Sequence, residues 1–243
     1  KWTEDGWLRM EDGSNFAKEY VEESSLEECT VDQIPDFDDF NSEELGLQYY
    51  APRIMPSSFA DVKARPGYVR IMGQESRCSL NKVSILARKL TSVYAVVTTK
   101  MDFTPYVHQH SAGLIMYYDN MNYIYLRKYY SETLKHSAIS IIHLENGEKT
   151  EFINTRTKVN DSPIYFRLVI EGRKSHFEWS YDGTTYNVIG KIFDTTKFSD
   201  EYCKYGEFTG TFVGITCADR VLHKHYADFD FFEYKADESK NVE

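Results

Sequence analysis

The chain has 243 residues, of which 42% are hydrophobic and 15% aromatic. That supplies apolar material for one large all-β domain or two small ones and excludes global disorder. A formal net charge of −10 argues against nucleic acid or an anionic membrane as partner, and no apolar run is long enough to cross a bilayer; neutral carbohydrate stays compatible.

The first stretch, Lys1 to Trp7, lacks a signal-peptide pattern, and a start at Lys1 without methionine points to a fragment. Residues 19–28 are acidic and weakly patterned, which reads as an exposed linker; Pro35 breaks it, and the compact domain is expected to start at Asp36. Cys29, Cys78, Cys203 and Cys217 form no C-x-x-C pair and are too few to staple a chain of this length. They are expected to be free thiols in a reducing, cytoplasmic compartment.

From Tyr68 onward the dominant period is two. Val69 and Ile71 alternate with Tyr68, Arg70 and Met72. Ala95, Val97, Thr99, Met101 and Phe103 line one side of the next strand, and Leu114, Met116 and Tyr118 alternate with Ile115 and Tyr117. Tyr123, Tyr125, Arg127 and Tyr129 share one face, with Ile124, Leu126 and Lys128 on the other. Ile164 to Ile170 and Phe177 to Tyr181 repeat the pattern, and further strands are expected over 212–217 and 226–234, the last with Ala227, Phe229 and Phe231 inward. Pro66-Gly67, Asn146-Gly147 and Asp182-Gly183 punctuate these runs as turns. Short strands with frequent turns and no fixed-period repeat predict an antiparallel two-sheet sandwich. The expected boundaries are 1–35 for the arm, 36–235 for the sandwich and 236–243 for a disordered tail.

Several of these segments together resemble a known family. Ala64-Arg-Pro-Gly-Tyr-Val-Arg70, Ser76 to Arg88 as a strand pair, Asp102-Phe-Thr-Pro105 leading into Gln109 and Ala112-Gly-Leu114, Ser180-Tyr-Asp-Gly183, Phe208 to Gly214 and Ala227 to Tyr234 occur in order and at sensible spacing. Phe40, Leu45 and Gln48-Tyr-Tyr50 stand where that family has its opening strand. The pattern is similar to the carboxy-terminal β-sandwich of the glycoside hydrolase family 43 β-xylosidases. The resemblance implies an all-β, two-sheet concanavalin-like jelly-roll sandwich with an irregular amino-terminal arm. It also implies an upstream five-bladed catalytic propeller in the same polypeptide, with Gly6-Trp-Leu-Arg9 as its tail. The propeller would carry three carboxylates for an inverting exo-hydrolysis. On that reading this chain braces the propeller, completes its active-site rim, meets xylo-oligosaccharide there, and supports a homo-oligomer.

The implied rim lies at Pro105-Tyr-Val-His-Gln-His110, with His108, Gln109 and His110 as its substrate-facing residues; the family places an aromatic ring where this chain has His108. The plainer alternative is a surface loop with two incidental histidines. His108 and His110, at i and i+2, would share a strand face and could hold a metal if a third ligand joined them. Asp38 and Asp230, on the first and last strands, are candidates for a structural calcium, against ordinary solvated aspartates. Asp228, Asp230 and Glu233 echo a concanavalin-like endoglucanase strand, but the first member is one methylene short for a retaining pair. The stripe Tyr123, Tyr125 and Tyr129, with Tyr117 and Tyr118, is either a sugar platform of an autonomous binding module or sheet-face packing.

Overall fold

In the computed structural model, residues 34–204 and 209–242 are described, together with 2, 4–10, 16 and 18 of the amino-terminal arm. Two compact units are distinguished, Lys1–Ile34 and Pro35–Glu243. In the first, Trp2 and Leu8 form an antiparallel bridge; the acidic run 19–28 lies outside the described residues.

The second unit is all-β, with 3-10 turns as its only helical elements among the described residues. Its strands are β1 (Phe37–Asp38), β2 (Ala60–Asp61), β3 (Val69–Met72), β4 (Ser84–Lys89), β5 (Tyr94–Asp102), β6 (His110–Asp119), β7 (Asn122–Ser131) and β8 (His136–Glu145). They continue as β9 (Glu148–Glu151), β10 (Thr157–Lys158), β11 (Ile164–Glu171), β12 (Lys174–Ser180), β13 (Asn187–Asp194), β14 (Phe212–Asp219) and β15 (Tyr226–Ala236). One sheet runs β13-β12-β11-β5-β15-β3-β2, with β1 also on β15; the other runs β10-β8-β7-β6-β14-β4, with β9 also on β8. The pairings within both sheets are antiparallel.

One core lies between the sheets. Ile71, Val97, Phe166, Leu168, Phe177, Phe229 and Phe232 from the first sheet meet Leu114, Leu126, Ile139, Ile141 and Ile215 from the second. Each fully buried phenylalanine or leucine contributes about 1.5–3 kcal/mol relative to its exposed state. A second apolar cluster (Ile85, Ile115, Tyr117, Tyr123, Tyr125, Ile142, Leu144) covers the outer face of the second sheet.

The turns follow their residues. Asn146 and Gly147 have φ of 48° and 87°, the paired positive values of a type I′ hairpin between β8 and β9. Gly67 has φ 76°, and Tyr68 N–H donates to the Arg65 carbonyl at 3.1 Å, closing a type II turn at Pro66-Gly67.

Four local expectations change. Residues 76–82 are loop, so the strand pair over 76–88 reduces to β4: Ser79 bonds Glu75, and Asn81 N–H donates to Ser79 Oγ at 3.2 Å, local bonds that compete with a ladder. Gln48–Tyr50 forms no strand; Tyr50 bridges Ala87 singly, and Tyr49 is fastened by its hydroxyl to Asp38 at 3.0 Å. A bulge between Phe229 and Phe231 turns Phe231 outward onto Phe37 (5.3 Å between ring centroids) and brings Phe232 into the core. The expected tail at 236–243 is anchored through 242: Asp237 N–H donates to the Tyr94 carbonyl at 2.8 Å, and a 3-10 turn covers Glu238–Val242.

Candidate functional site

Antiparallel register gathers the predicted rim at one end of the sandwich. Asp219 pairs with His110, Ser111 with Tyr129, Tyr226 with Met72, and Asp228 with Asp102. The connections 73–83, 103–109, 132–135 and 220–225 therefore leave the same end, three of them crossing from one sheet to the other.

Asp219 organises this end. Its Oδ1 accepts the backbone N–H groups of Val221 (2.9 Å) and Leu222 (3.2 Å), and its Oδ2 those of Lys224 (2.9 Å) and His225 (3.1 Å). Burial opposes its ionisation, but these four donors outweigh burial and hold the carboxyl well below the usual carboxylate range. The loop so closed delivers the His225 carbonyl to the Gly73 N–H at 2.8 Å. Glycine is required at 73, since a Cβ there would lie 2.6 Å from the Asp219 nitrogen and 2.8 Å from the His225 oxygen.

His225 carries the order across to the 103–109 loop. Its Nε2–H donates to the Thr104 carbonyl at 2.9 Å, and its ring lies 5.2 Å from that of Phe103. His110 stacks on His225 at 4.3 Å and 21°, with Nε2 3.4 Å from Asp219 Oδ1. Burial pushes both imidazoles below the ordinary histidine range, reinforced at His110 by His225.

The three predicted rim residues are thus separated. His108 is half-exposed and its Nδ1 lies 3.1 Å from Glu132 Oε1. Gln109 is half-buried, and His110 is 2% exposed. A turn closed by His110 N–H on the Val107 carbonyl (3.0 Å) precedes β6, so 108 and 110 are not successive positions on one strand face, and the idea that they jointly hold a metal loses its geometry. Among the described residues no three His, Cys, Asp or Glu side chains converge as a metal site.

Asp38 and Asp230 are not brought together either. Asp38 faces the core side, accepting Phe40 N–H (2.9 Å) and the Tyr49 hydroxyl (3.0 Å); Asp230 faces outward, 2.6 Å from Lys100 Nζ. Asp228 is clamped by arginines: Arg70 donates from Nε (2.7 Å) and Nη2 (2.8 Å), and Arg65 Nη1 reaches both Asp228 (3.2 Å) and Asp102 (2.8 Å). Glu233 pairs with Lys235 at 2.6 Å. A carboxylate with both oxygens held by guanidinium is a poor nucleophile, and its structural role predicts a cost. Asp228→Asn is expected to lower unfolding free energy by about 2–3 kcal/mol, because it leaves two half-buried arginines short of their partner; denaturant unfolding checks this, and an unchanged midpoint would show the clamp to be idle.

Tyr123, Tyr125 and Tyr129 are buried, with Arg77 over Tyr125 and Arg127 over Tyr129, both at 3.8 Å, so the stripe packs the outer sheet face and offers no open platform. Cys78, Cys203 and Cys217 are free thiols; Cys29 lies outside the described residues. The sequence reading passes over Asp219 and His225 and takes Tyr106 only as part of the 105–110 loop. The one available signal was aspartate at the end of a strand before a polar loop, the residue that most readily caps backbone N–H groups.

Comparison with known proteins places this geometry. Residues 37–235 match the family model described as the β-xylosidase C-terminal concanavalin A-like domain. The crystal structure of a xylan β-1,4-xylosidase from Bacillus halodurans C-125 superposes with a TM-score of 0.89 at 34% identity, over 97% of this chain and 45% of that one. A β-xylosidase of Bacillus subtilis (strain 168) is 26% identical over 235 residues, 95% of this chain and 44% of that protein. A xylan 1,3-β-xylosidase of a Vibrio species is 28% identical over 232 residues, 95% and 43% respectively. The chain spans less than half the length of these relatives.

Proposed function

The chain belongs to the C-terminal concanavalin A-like domain family of the glycoside hydrolase family 43 β-xylosidases, and from that premise we propose that this accessory domain completes the active-site rim of a catalytic domain in the same polypeptide. The parent reaction on this reading is exo-hydrolysis of xylo-oligosaccharides or removal of arabinofuranosyl groups. The observation that carries it is the 103–109 loop: it stands with three other connections at one end of the sandwich, tied at Thr104 by His225 and at Val107 by the start of β6. A loop held this way keeps its shape without a ligand, so ordering it on binding costs little. An apolar or aromatic lip at a sugar pocket excludes water and limits the number of units that fit, which favours exo-action.

Two measurements test this. The chain alone is expected to leave chromogenic xylosides and arabinosides intact; turnover by the chain would overturn the division of labour. Joined to the catalytic half of the Bacillus halodurans enzyme, the chain is expected to support xylobiose hydrolysis. Replacing residues 105–109 by a short glycine linker should then raise KM about tenfold with little change in thermal stability. An unchanged KM would remove the rim role and leave bracing alone.

A further inference from the structure

Guanidinium groups gather where the outer face of the second sheet meets the end that carries the loops. Arg77 comes from the 73–83 connection, Arg127 from β7, and Arg220 from the first position after β14. Register brings them together. Tyr125, Arg127 and Tyr129 share the outward face of β7, Ser111 lies opposite Tyr129, and Ala218, two residues before Arg220, lies opposite Ser111. Arg77 sits over the Tyr125 ring at 3.8 Å, and its Nη2 donates to the Tyr125 hydroxyl (2.6 Å) and to Ser111 Oγ (3.1 Å). Arg127 sits over Tyr129 at 3.8 Å and donates from Nε to Ser140 Oγ at 3.3 Å. Arg77 and Arg127 are 6% and 8% exposed, whereas Arg220 is open to solvent.

This cluster is short of negative charge. Among the described residues, Glu151 is the one carboxylate in ion-pair contact with any of the three, and it is on Arg127. The acidic neighbours in the chain are occupied elsewhere: Asp219 accepts four backbone N–H groups, and Glu75 is bonded to Ser79. Arg77 Nε is enclosed without a partner, and its Nη1 donates to no described residue. Burial, and then the charges of Arg77 and Arg127, pull the Arg220 guanidinium below the usual arginine range. A chain with a net charge of −10 has acid to spare, yet places so little of it here. A buried guanidinium left without an anion is destabilising, so the arrangement suits an anion supplied from outside.

We propose that Arg77, Arg127 and Arg220 form a carboxylate-binding site, and that its ligand is a sugar acid, a saccharide unit bearing a carboxylate. A planar guanidinium fork matches the two oxygens of a carboxylate, and each N–H···O bond is charge-assisted. Arg220 meets the ligand at the surface, Arg77 offers Nη1 behind it, and Arg127, already paired with Glu151, adds its charge from the flank. The carboxylate site stands on the arginines. The choice of a sugar acid rests on the rim reading above, because the loops bearing Arg77 and Arg220 leave the same end as the 103–109 loop.

The test titrates the chain with sodium D-glucuronate at constant ionic strength, following arginine Nε–Hε signals by NMR, with D-glucuronamide as the uncharged control. Saturable shifts of the Arg77 and Arg220 signals in the low millimolar range are expected with glucuronate and none with the amide. Arg220→Gln, a change at an exposed position, should weaken binding about tenfold, the worth of a hydrogen bond to a charged group. Arg220→Lys, which keeps the charge without the fork, should fall between the two. In the joined enzyme, Arg220→Gln should raise the ratio of KM for a uronate-bearing xylo-oligosaccharide to KM for xylobiose, again about tenfold. Equal responses to glucuronate and glucuronamide, or none to either, would overturn the site, and unchanged binding in Arg220→Gln would overturn its placement. If glucuronate saturates the arginines but the KM ratio ignores Arg220, the sugar assignment fails and the carboxylate site stands. An unchanged KM on replacing 105–109 sinks the rim reading alone, since the titration of the chain does not pass through it.

Discussion

Replacing Gly113 by alanine is expected to lower the melting temperature by about 10 °C. Gly113 lies in β6, three residues after His110, where it pairs with Arg127 of β7 and Thr216 of β14. A Cβ built there overlaps the Leu126 carbonyl oxygen and presses on Phe166 Cε2 at 3.0 Å and Arg127 Cα at 3.1 Å. Two of those three obstacles are backbone, which no rotamer change can move. Relief requires the β6–β7 ladder to open or β6 to shift against the opposite sheet. Overpacking a close-packed interior costs about 1–3 kcal/mol and more where backbone must move. At roughly 2–4 °C per kcal/mol for a domain of this size, a cost of about 3 kcal/mol gives the stated shift. Scanning calorimetry checks it. A loss of less than about 3 °C would mean that β6 has room to yield and that the glycine is incidental. Because β6 carries His110 at its start, the same variant should also quicken exchange in the 103–109 loop.

Much of this architecture was legible before any coordinates. Period-two alternation marks β3, β5, β6, β7, β11 and β12, since one side of each packs into a shared core. Asn146-Gly147 and Asp182-Gly183 sit at hairpin ends for the backbone reasons that make them turn residues. Alternation fails where a bulge adds a residue: nothing in Asp228-Phe-Asp-Phe-Phe distinguishes Phe231 inward from Phe232 inward, and the answer depends on pairing with Lys100 and Thr99 of β5. The site was legible in part. The loop at 105–110 is local in sequence, so its motif could be read, whereas the bracket that holds it joins His110 to Asp219 and His225 across more than a hundred residues. Long-range pairing of that kind is set by register, and a single sequence carries no local mark of it. The segment at 76–82 departs for a different reason: the strand expected there rested on the family resemblance alone, and hydrogen bonds among Glu75, Ser79 and Asn81 hold it as loop.

Lys128→Met is expected to stabilise the domain at pH 7 by about 2 kcal/mol, an uncommon direction for a core substitution. Lys128 has 0% exposure and shares its face of β7 with Ile124 and Leu126, so its stem is already treated as an apolar side chain. Among the described residues its ammonium donates only to the Ser162 carbonyl, at 3.3 Å, with Asp161 and Asp102 acting at longer range. Burial drives its pKa down to about 8, the two aspartates offsetting this in part. Against an unfolded value near 10.4, a depression of that size is worth about 3 kcal/mol, and losing the bond to Ser162 takes back about 1. The sign follows from proton counting. Between pH 8 and 10.4 the unfolded lysine holds a proton that the folded one releases, so its contribution to stability rises with pH there, and the penalty is full below pH 8. The thiols of Cys203 and Cys217, which burial pushes up to about 11 and about 12, titrate with the opposite sign in that window. They act equally in both proteins and cancel in the difference. Urea unfolding of wild type and Lys128→Met at pH 7, 9 and 10 should therefore show an advantage for methionine that shrinks as pH rises. A methionine variant weaker than wild type at pH 7 would mean that the buried charge is held by interactions with Asp161 and Asp102 strong enough to repay its desolvation.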